Sequence, residues 1–159
     1  MTRHPTPSEK GDSEAPTLWL DEYLPYRAAV ASSEIGKVIS PFYRQFGLTM
    51  PELAILSVLF EESPLTQQMI IARTVMEKYA ISRAARDLIK RGLVERADHE
   101  VDGRSYWLSI SPAGRQCYES VVPMSLAFEE ELREALGGEE MYRTVKEVLR
   151  QLETAAKSL

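Results

Sequence analysis

Six side chains in one short stretch carry the chemistry that stands out in this sequence: Lys78, Tyr79, Ser82, Arg83, Arg86 and Lys90. At about 100° per helical residue, Tyr79, Arg83, Arg86 and Lys90 fall within about 100° of Ser82, while Ile81, Ala84, Ala85 and Leu88 take the opposite side. A face of this kind has no nucleophile poised for attack, but it can bind. Guanidinium forks pair with guanine edges or phosphates, a serine hydroxyl contacts either, and a tyrosine packs on sugar or a thymine methyl. The competing interpretation is a solvated charged helix, which many globular proteins carry.

Charge distribution sharpens the choice. From Arg73 to Arg91 six basic residues stand against Glu77 and Asp87, a local excess of four on a chain of net charge −5. A basic segment on an acidic body argues against general coating of nucleic acid and for a confined contact. One cysteine, Cys117, and two histidines, His4 and His99, exclude a disulfide framework within the chain and give no zinc cage. There is no Gly-rich phosphate loop and no Cys–His nucleophile spacing, so an enzyme is not expected, nor is a cofactor or metal. No apolar run approaches the roughly 18 residues of a membrane span, and the N-terminus lacks a signal-peptide core, so the expectation is a cytoplasmic protein without a membrane partner.

The elements that must position these residues follow from periodicity and punctuation. Residues 1–17 are rich in Pro, Ser, Thr, Glu and Lys, and read as a flexible tail. From Trp19 to Phe46 apolar residues recur at helical spacing, as one long helix or two stacked ones, with Pro41 expected to kink or break it. Thr49, Pro51 and Glu52 form a helix-start signal before "LAILSVLF", a buried helix ending at Glu61. "ESPLT" interrupts, and Thr66 is placed to cap a third helix from Gln67 to about Val75. A fourth runs from about Tyr79 to Arg91 and stops at Gly92. "LVERA" and "SYWLSI" then alternate as a β-hairpin whose turn falls at Asp102-Gly103 or at Asp98 to Glu100. Ser111 and Pro112 restart helix, which continues to about Leu136, pauses at Gly137-Gly138 and resumes to Leu159.

Two short helices, a hairpin, and basic charge on the second helix describe a winged helix-turn-helix. Leu65 to Gly114 resembles the DNA-binding core of the MarR family of bacterial transcriptional regulators. The resemblance rests on Leu65, Thr66, Leu88, Gly92, Leu93, Val94, Arg96, Asp102, Arg104, Ile110, Ser111 and Gly114. It departs at Gly103, where many members have a second basic residue, and at Ile71, often alanine. The implied fold is mainly α with a small β-wing, a winged helix-turn-helix over residues 49–111. N-terminal (18–48) and C-terminal (112–159) dimerisation helices would flank it. The implied partner is double-stranded DNA with a near-palindromic operator, bound by a homodimer. Lys78, Tyr79, Ser82, Arg83, Arg86 and Lys90 would face DNA, Thr66, Gln67 and Gln68 would anchor phosphates, and Arg104 would enter the minor groove, its wing supported by Asp102.

Trp19, Tyr23, Tyr26, Arg27, Tyr43, Arg44 and Phe46 form a second group of interest. The family tends to bind small aromatic or anionic effectors, and an arginine beside aromatic rings suits a carboxylate or phenolate on an apolar body. Packing between two copies explains the same residues equally well. The expected function is a ligand-responsive repressor. The alternatives are a winged-helix protein-interaction module and a redox-sensing regulator acting through Cys117.

Overall fold

Pro41 does not end the first helix. In the structure, a computed structural model that describes residues 16–74, 76–98 and 106–159, α1 spans Leu24–Gln45 and runs through it. A proline removes one N–H from the helical ladder, and here the helix is held on either side of it by burial of Ile39 and Tyr43. The chain divides into two units, residues 1–38 and 39–159. In the first, Leu18, Trp19, Leu20, Tyr23, Tyr26, Ile35 and Val38 are all exposed.

The second unit is built around α2 (Met50–Glu61). The Glu52 carboxylate accepts from the Thr49 backbone N–H at 2.7 Å and from its hydroxyl at 2.8 Å, satisfying groups the helix start leaves open. Ile55, Leu56 and Leu59 are fully buried. They meet Ile70 of α3 (Gln67–Thr74) and Ile81, Ala85 and Leu88 of α4 (Lys78–Lys90) in one core. Gly92, at φ +70°, reverses the chain after α4, and the Leu93 N–H returns to the Leu88 carbonyl at 3.0 Å.

The hairpin forms as β2 (Val94–Asp98) and β3 (Tyr106–Ile110), in register from Val94↔Ile110 to Asp98↔Tyr106. A third strand, β1 (Leu65–Thr66), pairs antiparallel with β3, giving the order β1-β3-β2. Periodicity gave no sign of it, because two residues carry no alternation. The turn, His99, Asp102 and Arg104 lie outside the described residues, as do residues 1–15 of the expected tail.

A tight junction launches α5 (Pro112–Ala135). Ser111, buried, donates to the Gly92 carbonyl at 2.7 Å and accepts from the Gly114 N–H at 2.9 Å. Gly137 and Gly138, both at positive φ, turn the chain into α6 (Glu139–Ser158). The Tyr142 hydroxyl donates to Glu129, and Arg133 meets Glu139 at 3.1 Å, linking α5 to α6. No residue of α6 is buried. Among the described residues, six helices and three strands make the expected fold class, mainly α with a small antiparallel sheet. No described helix is long and apolar enough to cross a membrane.

Candidate nucleic-acid interface

The amphipathic design of α4 is realised in three dimensions. Ile81, Ala84, Ala85 and Leu88 are buried, while Tyr79 stands 87% exposed and Lys78, Arg83, Arg86 and Lys90 lie open beside it. A large aromatic ring held in water on a folded helix is available to pack against a partner.

Of the six cations in the basic stretch, two are spent inside the lobe. Arg73 reaches Glu61 at 2.7 Å and Glu62 at 2.8 Å, and Arg91 reaches the buried Glu52 at 3.0 Å. No ion pair engages Lys78, Arg83, Arg86 or Lys90 among the described residues, and all four lie on α4. The sequence therefore overstated the charge available, and the cations left without ion pairs among the described residues of this stretch are those of α4. The pairing acids stand 11 to 39 positions away, so no local pattern marks them.

The proposed phosphate anchors divide. Thr66 accepts from the Met69 N–H at 3.3 Å and so caps α3, as expected of it. Gln68 is exposed in the first turn. Gln67 is engaged by neighbours: its Oε1 accepts from the Tyr106 hydroxyl at 2.7 Å, and its Nε2 donates to Ser82 Oγ. Ser82 is half-buried in consequence, at the margin of the exposed face. On the hairpin, the Arg96 guanidinium lies 4.2 Å from the Tyr106 ring centroid and 3.7 Å from Asp98. Arg104 and Asp102, expected in the wing, are outside the described residues.

The aromatic group splits between the two units. Trp19, Tyr23, Tyr26 and Arg27 belong to the first and are exposed. Tyr43 in the second is a core residue, 7% exposed, with Phe46 packed partly against that core and Arg44 exposed. Cys117 is half-buried, and burial, foremost, pushes its thiol up from 9.0; nearby Arg91 opposes this and Glu52 adds to it. A sensing thiol needs the reverse shift. Among the described residues, no group of three or more His, Cys, Asp or Glu is placed to hold a metal ion.

Residues 46–105 match the family model described as MarR family. A probable transcriptional regulator from Pseudomonas aeruginosa has a similar structure, with TM-score 0.72 and 29% identity over 84% of this chain and 99% of that one. The M. tuberculosis regulator MosR, solved in complex with DNA, gives TM-score 0.74 at 22% identity over 86% and 98%. Bordetella bronchiseptica BpsR, whose DNA binding is regulated by 6-hydroxynicotinic acid, gives 0.75 at 17% over 87% and 98%. The last two likenesses establish the fold. No curated protein matches the chain.

Proposed function

We propose that the chain, whose residues 46–105 match the MarR family model, is a winged-helix regulator of that family and a sequence-specific transcriptional repressor in the cytoplasm. It binds a near-palindromic operator as a homodimer and is released by a small aromatic or anionic effector. The observation that carries this reading is α4: one side fully committed to the core, the other presenting Tyr79, Arg83, Arg86, Lys90 and Lys78 free of ion pairs among the described residues. Arg83 and Arg86 read base edges in the major groove, Tyr79 packs on sugar or a thymine methyl, and Lys78, Lys90 and Gln68 hold phosphates. Arg104 reaches the adjacent minor groove.

Exposed apolar side chains support the dimer. Ile35 and Val38 on α1, Leu126 on α5 and Met141, Val148 and Leu149 on α6 are each more than two-fifths exposed. A second copy is the simplest cover for them. Support for an aromatic acid effector comes from BpsR, which shares the fold, and from Arg27 and Arg44, each sited among aromatic residues in sequence.

Binding to the duplex upstream of its own coding sequence, measured against a scrambled duplex across a salt series, tests the reading. Specific preference that survives competitor DNA is the expected result. Equal, purely salt-driven affinity for both duplexes, unchanged by Arg83→Ala and Arg86→Ala, would refute it.

A further inference from the structure

Gln67 sits at the start of α3, where a phosphate contact was expected, but both ends of its amide are engaged within the lobe. The Tyr106 hydroxyl of β3 donates to Oε1 at 2.7 Å, and Nε2 donates to Ser82 Oγ on α4. The chain of contacts extends at each end. From β2, the Arg96 guanidinium covers the Tyr106 ring, and on α4 the Arg86 Nε donates to the Ser82 carbonyl at 3.3 Å. One side-chain amide thus joins the hairpin to the helix that carries the exposed cations.

Besides the hydrogen-bonded Gly92 turn, which joins only the foot of β2 to α4, the ties between these elements differ in kind. Leu65, Ile81, Leu88 and Leu108 are fully buried together, and apolar contact of that sort fixes distance without preferring a direction. Hydrogen bonds are directional, and all three residues of the relay are half-buried, where water competes less for them.

We propose that Gln67 is a positioning residue. Through Tyr106 on one side and Ser82 on the other it sets the angle of the hairpin against α4, and thereby whether both reach adjacent grooves at once. The proposal rests on the DNA-binding reading above and changes two roles within it: Gln67 leaves the set of phosphate contacts, and Ser82 acts by holding Gln67.

The test compares the full chain with Gln67→Leu, Tyr106→Phe, the double variant and Gln67→Glu on the upstream duplex and a scrambled duplex of equal length. Each single change is expected to lower the ratio of the two affinities about three- to tenfold, as loss of one or two neutral hydrogen bonds would. The double variant should do no worse than the worse single, because both cut one relay. A glutamate still accepts from Tyr106 and, with the Ser82 hydroxyl turned to donate, keeps the second bond. Gln67→Glu should therefore restore the ratio to within about twofold, although repulsion weakens both complexes. Additive losses, or a glutamate ratio as low as that of leucine, overturn the proposal, and so does a ratio that none of the changes moves, which is what a phosphate contact alone predicts. A second arm needs no DNA: amide exchange over residues 94–98 and 106–110 should rise at least about threefold in Gln67→Leu and Tyr106→Phe but not in Gln67→Glu. Unchanged exchange in Gln67→Leu overturns the positioning role even if DNA binding is specific. A wild-type chain that prefers neither duplex instead overturns the regulator reading and the groove-spanning role with it.

Discussion

Replacing Gly114 by alanine reverses the usual rule for helices. Within a helix that exchange ordinarily stabilises by about 0.5–1 kcal/mol, because glycine loses more backbone freedom on folding. At position 114, in the first turn of α5, an added Cβ would stand 2.0 Å from the Leu93 carbonyl oxygen, 2.9 Å from its carbon and 3.1 Å from Ile110 Cγ1. Contact between nonbonded heavy atoms is comfortable near about 3.5 Å, so either the α5 start or the chain after α4 must retreat by more than about 1 Å. Neither is free to do so. The Ser111 N–H donates to that same Leu93 carbonyl at 3.1 Å, and the Ser111 side chain bridges the Gly92 carbonyl and the Gly114 N–H. Overpacking costs about 1–3 kcal/mol, and strain on one or two of these hydrogen bonds adds about 1 kcal/mol each. A total near 3–4 kcal/mol lowers Tm by roughly 6–16 °C in a chain of this size. Thermal unfolding followed by circular dichroism, at one fixed protein concentration because an oligomer's Tm depends on it, gives the measurement. A fall of less than about 2 °C, or any rise, would refute the close-approach argument, since the general helix preference alone predicts a rise.

Arg86→Ala should cost roughly 1–3 kcal/mol on the best operator and flatten base preference, while Lys78→Ala weakens all duplexes alike and reduces the salt slope by about one; competition titrations in graded salt separate the two. Arg91→Met leaves the Glu52 carboxylate, 5% exposed, with only its Thr49 donors. Denaturant unfolding should show a loss of about 1–2 kcal/mol, below the 3–5 of a fully buried pair because Arg91 remains over a third exposed. No loss would mean that the ion pair contributes nothing. For Cys117, burial raises the folded thiol pKa above its ordinary 9.0, so folding favours the protonated form. That contribution is intact below about pH 9 and fades as pH rises through the folded value. Iodoacetamide at pH 7.5 should label the native thiol at least about tenfold more slowly than the urea-unfolded one, and peroxide should not release DNA.

What the sequence disclosed was governed by range. The Thr49–Glu52 cap, the Gly92 stop and the Ser111 start each act within four residues, and each stands as expected. The face of α4 was legible because helical spacing alone sorts Ile81, Ala84, Ala85 and Leu88 from Tyr79, Arg83, Arg86 and Lys90. Other features needed the folded register. Arg91 meets an acid 39 positions away, and β1 finds its partner Leu108 across a similar distance, neither with a local signature. Gln67 looked like a surface amide at a helix start until the lobe closed Tyr106 and Ser82 around it. The break considered at Pro41 does not occur, because propensity weighs the lost hydrogen bond and cannot weigh the burial of Ile39 and Tyr43 on either side of it.

The uncovered stripe of α6, Met141, Val148 and Leu149, has a consequence for dosage. Apolar surface left in water by one chain lowers the free energy of pairing by about 25 cal/mol per Å² once a second chain covers it. If a second copy covers the stripe, as proposed above, the helix sets a threshold concentration for pairing. On the reading proposed above, a single copy would carry one α4 and grip half an operator and a pair would grip both halves; while chain is scarce, the number of pairs would grow with the square of the amount present. Occupancy of the operator would then respond to synthesis of the protein more steeply than in proportion, before any effector is present.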